Sequence, residues 1–379
     1  MKLATTLLVT CAGGLLTLGL VMLFSAGMTT AGGRYPVMPA AWCGVGLVAA
    51  VLVAWLDYRY LKKVAWGILA AAVGLLVAVL VVGEDVNGAR RWLRIPGVSW
   101  FSVQPSEVAK LALIIALAHY GERHQRWMSE FKGGLLIPGI VVGAVLFLVF
   151  MEPDWGTTVL MGAVSGIMLL VAGVRWLHLM PTGVAAVGGL VFMLIHNPTR
   201  LRRVVGWLDL EASKDSVAGY QTWQSILALG SGGWTGVGLG GGMQKYGYVP
   251  LHESDFIFPM IGEELGLICT LGVVLAFVAI VICGVYIAWH ARDTFGMLLG
   301  TGLAFLIGLQ AFINIAVVTN VLPNKGLPLP FISRGGSNLI VMLVCIGLLV
   351  SIARRSVKAE ALPPPLTVME DPPAGRNVG

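Results

Sequence analysis

Residues 246–267 read YGYVPLHESDFIFPMIGEELGL, and the apolar run that opens inside this stretch continues to Trp289. A bilayer core is crossed by about 20 helical residues. A span from about Phe256 to Trp289 exceeds that length, so it is tilted, broken or partly outside the membrane. Four carboxylates, Glu253, Asp255, Glu263 and Glu264, stand where the chain re-enters an apolar environment. Asp255 is followed at once by Phe256, Ile257 and Phe258, which places its side chain at a partly desolvated site. Desolvation raises a carboxylate's proton affinity and suits it to general-base work. Ser254 and Asp255 are also good helix N-caps, so capping is the competing reading. Glu263 and Glu264 lie about two helical turns further on, roughly 12 Å along a continuous helix. They share a cavity with Asp255 or hold an internal partner.

Working outward, the whole chain is 57% hydrophobic and 12% charged, with a mean hydropathy of +0.85. Those values exclude a soluble globular domain and indicate an all-α polytopic membrane protein. The formal charge of +6 is spread over short loops between apolar runs, which fits membrane topology and argues against nucleic-acid binding. Cys11, Cys43, Cys269, Cys283 and Cys345 all fall in apolar runs without C-x-x-C spacing. They read as small buried hydrophobes, with neither disulfide nor metal implied.

Apolar runs predict spans at about 3–23, 38–56, 64–82, then one opened by Gln104-Pro-Ser-Glu, and others at about 134–150, after 157, at 176–195, 256–289, 297–318 and from 338 to Arg354-Arg355. About ten transmembrane helices result, with a large extracytoplasmic loop, residues 197–254, between helices 7 and 8. The membrane domain covers residues 1–356, and the Pro-rich tail, 357–379, reads as disordered and cytoplasmic. Basic turns at Lys62, Lys63, Arg123, Arg126, Lys132, Arg175, Arg292, Arg354 and Arg355 fall on one side. That side is cytoplasmic and carries both termini, so Asp255 and the large loop face outward.

Polar groups inside or beside the spans supply the other site candidates. Arg90, Arg91 and Arg94 alternate with Trp92, Trp100 and Phe101 near the outer interface, where guanidiniums meet anionic headgroups. In Gln104-Pro-Ser-Glu-Val-Ala-Lys110, Glu107 and Lys110 share a helical face. A charge at mid-membrane costs roughly 2.5–3.5 kcal/mol, so this pair reads as functional ahead of a packing salt bridge. Glu152-Pro-Asp-Trp-Gly-Thr157 is a tight turn, with Glu152 and Asp154 placed to bind a cation or position a sugar. The long polar stretch carries Arg200, Arg202, Arg203, Gln224 and a glycine-rich run up to Lys245. That run lacks the G-K-[ST] of a nucleotide loop, and its glycines predict close backbone approach and unusual dihedrals. Gln310 and Asn314, at i,i+4, read as polar glue or cavity lining. In LPNKGLPLPFISRGGSN, residues 322–338, three prolines break helix geometry. Non-helical backbone at that depth is tolerated only in protein or at a cavity, which makes Lys325, Ser333, Arg334, Ser337 and Asn338 candidates for a cavity wall.

NGARRWL, QPSEVAK, EPDWGT, TRLRR with GYQTWQS, the glycine run ending in QK, SDFIFPMIGEELG and LPNKGLPLPFISRGGSN occur in that order. Together they resemble the SEDS family, the FtsW/RodA group of peptidoglycan glycosyltransferases, over the chain to about Ser356. The resemblance implies a multi-pass protein of the cytoplasmic (inner) membrane that polymerises lipid II outside it, with undecaprenyl pyrophosphate as leaving group. It implies a class B penicillin-binding transpeptidase partner (FtsI-like), other divisome proteins and membrane lipids. Asp255 matches the family's catalytic Asp, and Lys325-Gly326 before PLPF is more like the division branch, FtsW, than the elongation branch, RodA. The chain departs from the family pattern at Leu251, Glu253, Ser254, Arg334 and Asn338. As a mechanism, Asp255 takes the proton of an incoming sugar 4-hydroxyl. Arg90, Arg91, Arg94, Lys110, Arg202 or Arg203 meets the pyrophosphate, with a divalent cation, Mg or Mn, as a possible aid. A lipid II flippase and a transpeptidase-activating scaffold are the rival readings.

Overall fold

The computed structural model describes residues 1–27, 37–86, 89–94, 102–196, 198–214, 217–244 and 254–360. The helices are α1 (Lys2–Gly27), α2 (Val37–Trp55), α3 (Tyr60–Val82), α4 (Pro105–Arg123), α5 (Ile137–Met151), α6 (Trp155–Val171), α7 (Trp176–Ile195), α8 (Pro198–Leu208), α9 (Val217–Ser231), α10 (Ile257–Trp289), α11 (Thr294–Val318) and α12 (Gly336–Glu360). Seven of them are long and apolar enough to cross a membrane: α1, α2, α3, α5 with the π-helical turn before it, α10, α11 and α12. Of the roughly ten spans expected, α6 is shorter and α4 carries buried charge.

The layering puts α11 at the centre. It packs on α10, α4 and α6, while α2 lies along α12, α3 along α4 and α1 along α10. Small residues permit this closeness, as expected where lipid gives helices no hydrophobic reason to associate. By contrast α7 is exposed along the part of its surface that is described.

The fold is α-helical as expected, and β1 (Glu84–Val86), β2 (Ala89–Arg94) and β3 (Ser102–Val103) add a small antiparallel sheet to it. Glu84 pairs with Trp92, and Arg94 with Ser102. The available signal was Asn87-Gly88, a dipeptide that suits a tight hairpin. The described part of the large stretch 197–254 is folded and holds α8 and α9. In both places alternating or periodic apolar residues let a polar stretch satisfy its backbone internally.

The overlong span is broken, as its length required. Gly266 interrupts α10 with φ 77° and ψ −176°, a conformation that is in effect reserved for glycine. The glycine run fills the gap. Val237 and Gly238 donate N–H bonds to the carbonyls of Glu263 and Glu264, and Leu267 and Ile268 donate to those of Gly233 and Trp234. Four backbone groups of α10 beside the break therefore have partners, as irregular backbone at depth requires. Gly236 takes φ 79°, and a Cβ there would enter the backbone of Glu264 and Leu265. The predicted close approach is thus real, and it is an approach to α10.

Candidate functional site

Asp255 lies in a turn just ahead of α10 and is half-buried. Phe256 occupies the cap position of α10, with no side chain bonded to the first turn, so capping does not explain Asp255. Burial pushes its carboxyl up to about 6, and the negative charge of Asp154 adds to the rise; Arg91 and a hydrogen bond from Ser254 oppose it. The Asp255 carbonyl accepts from Asn314 Nδ2 at 2.8 Å. Its carboxylate lies against Gly326, which is exposed, so the carboxylate has an open side bounded by a residue without a side chain.

The EPDWGT turn reaches this carboxylate from the other side. Asp154 caps α6, accepting from Thr157 N at 3.1 Å, and is buried. Gln104 Nε2 donates to its second oxygen at 3.3 Å and to Ser106 Oγ at 3.0 Å. Arg91 clamps the turn from β2, with Nε donating to the Glu152 carbonyl at 2.9 Å and Nη2 to that of Pro153. Glu152 itself is fully buried, and neither carboxylate oxygen has a hydrogen-bond partner. Burial first, and Asp154 second, push it up to about 8, with Arg91 opposing. This carboxyl is therefore largely uncharged at neutral pH.

Lys325 is half-buried next to Gly326, and burial lowers its proton affinity. Among the described residues no carboxylate pairs with it. The loop is tied to α9 by Asn324 Nδ2 donating to Gln221 Oε1 at 3.2 Å. Gln224, on the same helix, is half-buried.

The sequence candidates therefore separate. Asp255, Asp154, Arg91 and Gln104 converge, and Lys325 stands on the adjoining loop next to Gly326. Arg94 is instead paired with Glu84 at 2.8 Å on an exposed surface, and Arg90 reaches the Leu80 carbonyl at 3.5 Å. Glu107 and Lys110 form an ion pair at 2.8 Å with side chains 2% and 0% exposed. They are buried in the helix interior, where a charge pair needs its full set of bonding partners. Ser333 Oγ accepts from Leu329 N at 2.7 Å, and Ser337 Oγ donates to the Ser102 carbonyl at 3.1 Å while accepting from Gln104 N at 3.2 Å. Both serines are buried and tie the loop down, and Ser333 also lines a cavity with Arg334, Trp42 and Trp92. The side chains of Arg200, Arg202 and Arg203, and all of Lys245, Leu251, Glu253 and residues 361–379, lie outside the described residues, while the start of the expected disordered tail, 357–360, instead continues α12. Glu263 and Glu264 hold the glycine run: Glu263 accepts from Met243 N at 2.8 Å and Gln244 N at 3.3 Å, and Glu264 accepts from Gly240 N and Ser25 Oγ. Sequence reasoning did not single out Gly326 for the site; its signal was adjacency to Lys325 in a loop already forced out of helix geometry.

Comparison with known proteins adds an independent line. The sequence model of the cell cycle protein family FtsW/RodA/SpoVE matches residues 5–358. The chain is 37% identical over 347 residues to a protein of Trichlorobacter lovleyi named "Probable peptidoglycan glycosyltransferase FtsW", covering 89% of this chain and 90% of that one. It is 35% identical over 352 residues to the stage V sporulation protein E of Bacillus subtilis, covering 90% and 94%. A solved structure described as "Structural coordination of polymerization and crosslinking by a peptidoglycan synthase complex" has a similar chain. The TM-score is 0.77 at 27% identity, over 92% of this chain and 97% of that one.

Proposed function

Because the chain belongs to the cell cycle protein family of FtsW, RodA and SpoVE, we propose that Asp255 is the general base of its glycosyl transfer. The protein is a multi-pass membrane enzyme, a peptidoglycan glycosyltransferase. Its substrate is lipid II, and its site faces outward with both termini in the cytoplasm, in keeping with the basic turns. The observation that carries this reading is a half-buried carboxylate, unused as a cap, with a raised proton affinity and a glycine at its open side.

Asp255 takes the proton of the acceptor sugar's 4-hydroxyl as that oxygen attacks the anomeric carbon of the growing chain. The carbon–oxygen bond to phosphate breaks, and undecaprenyl pyrophosphate leaves with the electron pair. General-base assistance of this kind contributes roughly 10²–10⁴-fold. Lys325 is the cation best disposed to meet the departing charge, and Arg91 holds the turn that presents Asp154. Among the described residues no group of three or more His, Cys, Asp or Glu is arranged to hold a metal ion. A Mg or Mn ion is therefore proposed only as a companion of the pyrophosphate, and no step is derived through it.

The transpeptidase partner is a class B penicillin-binding protein, a proposal supported by the synthase complex that the fold resembles. The septal role, with other divisome proteins, is supported by the FtsW name of the relatives. An elongation role of the RodA type is the alternative. A lipid II flippase is the alternative from another class; the burial and pairing of Glu107 and Lys110 favour the polymerase reading over it. The test is glycan formation from labelled lipid II by the purified protein with its transpeptidase, wild type against Asp255→Asn. Polymer from the wild type alone supports the proposal, and equal polymer from both removes Asp255 as base.

A further inference from the structure

The stretches that carry Asp255 and Lys325-Gly326 are both non-helical, and both expose backbone carbonyls to the protein interior. Asn314, on α11 and 2% exposed, meets them together. Its Nδ2 donates to the Asp255 carbonyl at 2.8 Å and to the Leu327 carbonyl at 2.6 Å. A carboxamide NH₂ has two diverging hydrogens, so one side chain can bridge two chain segments that nothing covalent joins nearby. Its Oδ1 is buried without a hydrogen-bond partner. An amide retained where half of it goes unpaired is there for its donors.

One helical turn earlier, Gln310 does the same work on the next carbonyl. Its Nε2 donates to Pro328 O at 2.9 Å, and its Oε1 accepts from Lys110 Nζ at 2.7 Å. Lys110 pairs with Glu107, whose Oε2 accepts from Asn338 Nδ2 at 2.9 Å. Residues four apart share a helix face, so α11 presents two amides in a row to the loop. The ion pair fixes the rear of that row.

We propose that Asn314 is the positioning residue of Asp255, clamping its turn to the Lys325-Gly326 loop, with Gln310 and the Glu107–Lys110 pair holding that loop from behind. This rests on Asp255 being the base. Asn314 touches no reacting atom; it sets where the carboxylate stands relative to the cation on the facing loop. A displacement of about 1 Å in such a constellation costs about 10²-fold in rate.

The experiment measures initial rates of polymerisation of fluorescent lipid II by the full chain with its transpeptidase, using wild type, Asp255→Asn, Asn314→Ala and Asn314→Asp. Size-exclusion profile and Tm are recorded alongside. Asn314→Ala is expected to lower kcat about 10²-fold, with KM changed less than about threefold, in a protein that still elutes as folded. Asn314→Asp keeps the shape but replaces two N–H donors with at most one O–H, and is expected to lower kcat at least about tenfold. Should Asn314→Ala not be recovered folded, Asn314→Ser, which keeps one donor, is expected to lose about tenfold in kcat at unchanged KM. Asn314→Ala with kcat within threefold of wild type, or a rise in KM alone, overturns the proposal. Wild-type activity in Asp255→Asn instead overturns the general-base reading, a distinct result.

Discussion

Gly326→Ala isolates the open side of Asp255 from everything else the loop does. Gly326 does not occupy a left-handed conformation, so alanine is free of backbone strain there. The one neighbour a methyl group would meet is Asp255: it would stand 3.4 Å from Cγ and about 1 Å inside ordinary contact with Oδ2. The carboxylate is the far end of a short flexible side chain, so it yields by rotating about χ1 and χ2, and the fold loses little. The reacting oxygen, however, moves by about 1 Å, which is worth about 10²-fold. That lies within the roughly 10²–10⁴-fold that a general base contributes. The expected outcome is kcat lowered about 100-fold, with Tm essentially unchanged. Lipid II polymerisation rates and a thermal melt of the purified complex measure both. Wild-type kcat in Gly326→Ala would refute the placement of the catalytic oxygen against this loop. A large loss of Tm would show instead that the glycine supports the fold.

Since Asp255 must be ionised to act and is pushed up to about 6, kcat/KM should fall about tenfold per unit below pH 6 and level off above it; a flat profile from pH 5 to 8 would exclude this carboxylate as base. Glu152 is raised to about 8 from an unfolded value near about 4.3, so the folded state binds the extra proton. Its contribution to stability is complete below about pH 4, declines between about 4 and 8, and is lost above. Glu152→Gln should therefore match wild type in Tm at about pH 4 and exceed it at about pH 8.5. Lys325→Ala should lower kcat more than tenfold, because a cation facing the leaving group acts in the transition state. Gly236→Ala should destabilise severely, as a Cβ would enter the α10 backbone at the break; a normal melt would mean that the glycine run is not seated in α10.

Much of the architecture was legible because the bilayer imposes it. The apolar runs, the overlong run at 256–289 and the prolines of 322–338 are local signals: the first marked a multi-pass helical protein without fixing its number of spans, the second a broken helix and the third irregular backbone. Asp255 was legible for the same reason, as a charge at a helix mouth. What the chain did not disclose was direction. Arg90, Arg91 and Arg94 look equivalent in sequence. In an antiparallel strand, though, alternate side chains face opposite ways, and only Arg91 turns toward the 152–154 turn. The division of labour among the carboxylates was equally hidden. Glu263 and Glu264 have the same apolar neighbours as Asp255, yet they take backbone N–H groups from a loop some 20 residues away in sequence.

Glu107 and Lys110 bring these strands of argument together. A buried ion pair in a membrane protein invites a functional reading, because insertion energetics penalise it. That penalty falls on a pair whether it touches substrate or not; it says only that something must compensate. Here the compensation is a complete set of partners: Asn338 on Glu107 and Gln310 on Lys110, with Gln310 passing on to Pro328 O. The same row of amides ends at the carbonyl of Asp255. On the proposal above, the charge pair serves the reaction by fixing a loop that belongs to no helix or strand. Loss of activity on replacing Lys110 is accordingly expected without any loss of lipid II binding, whereas replacement of a substrate contact would lower both.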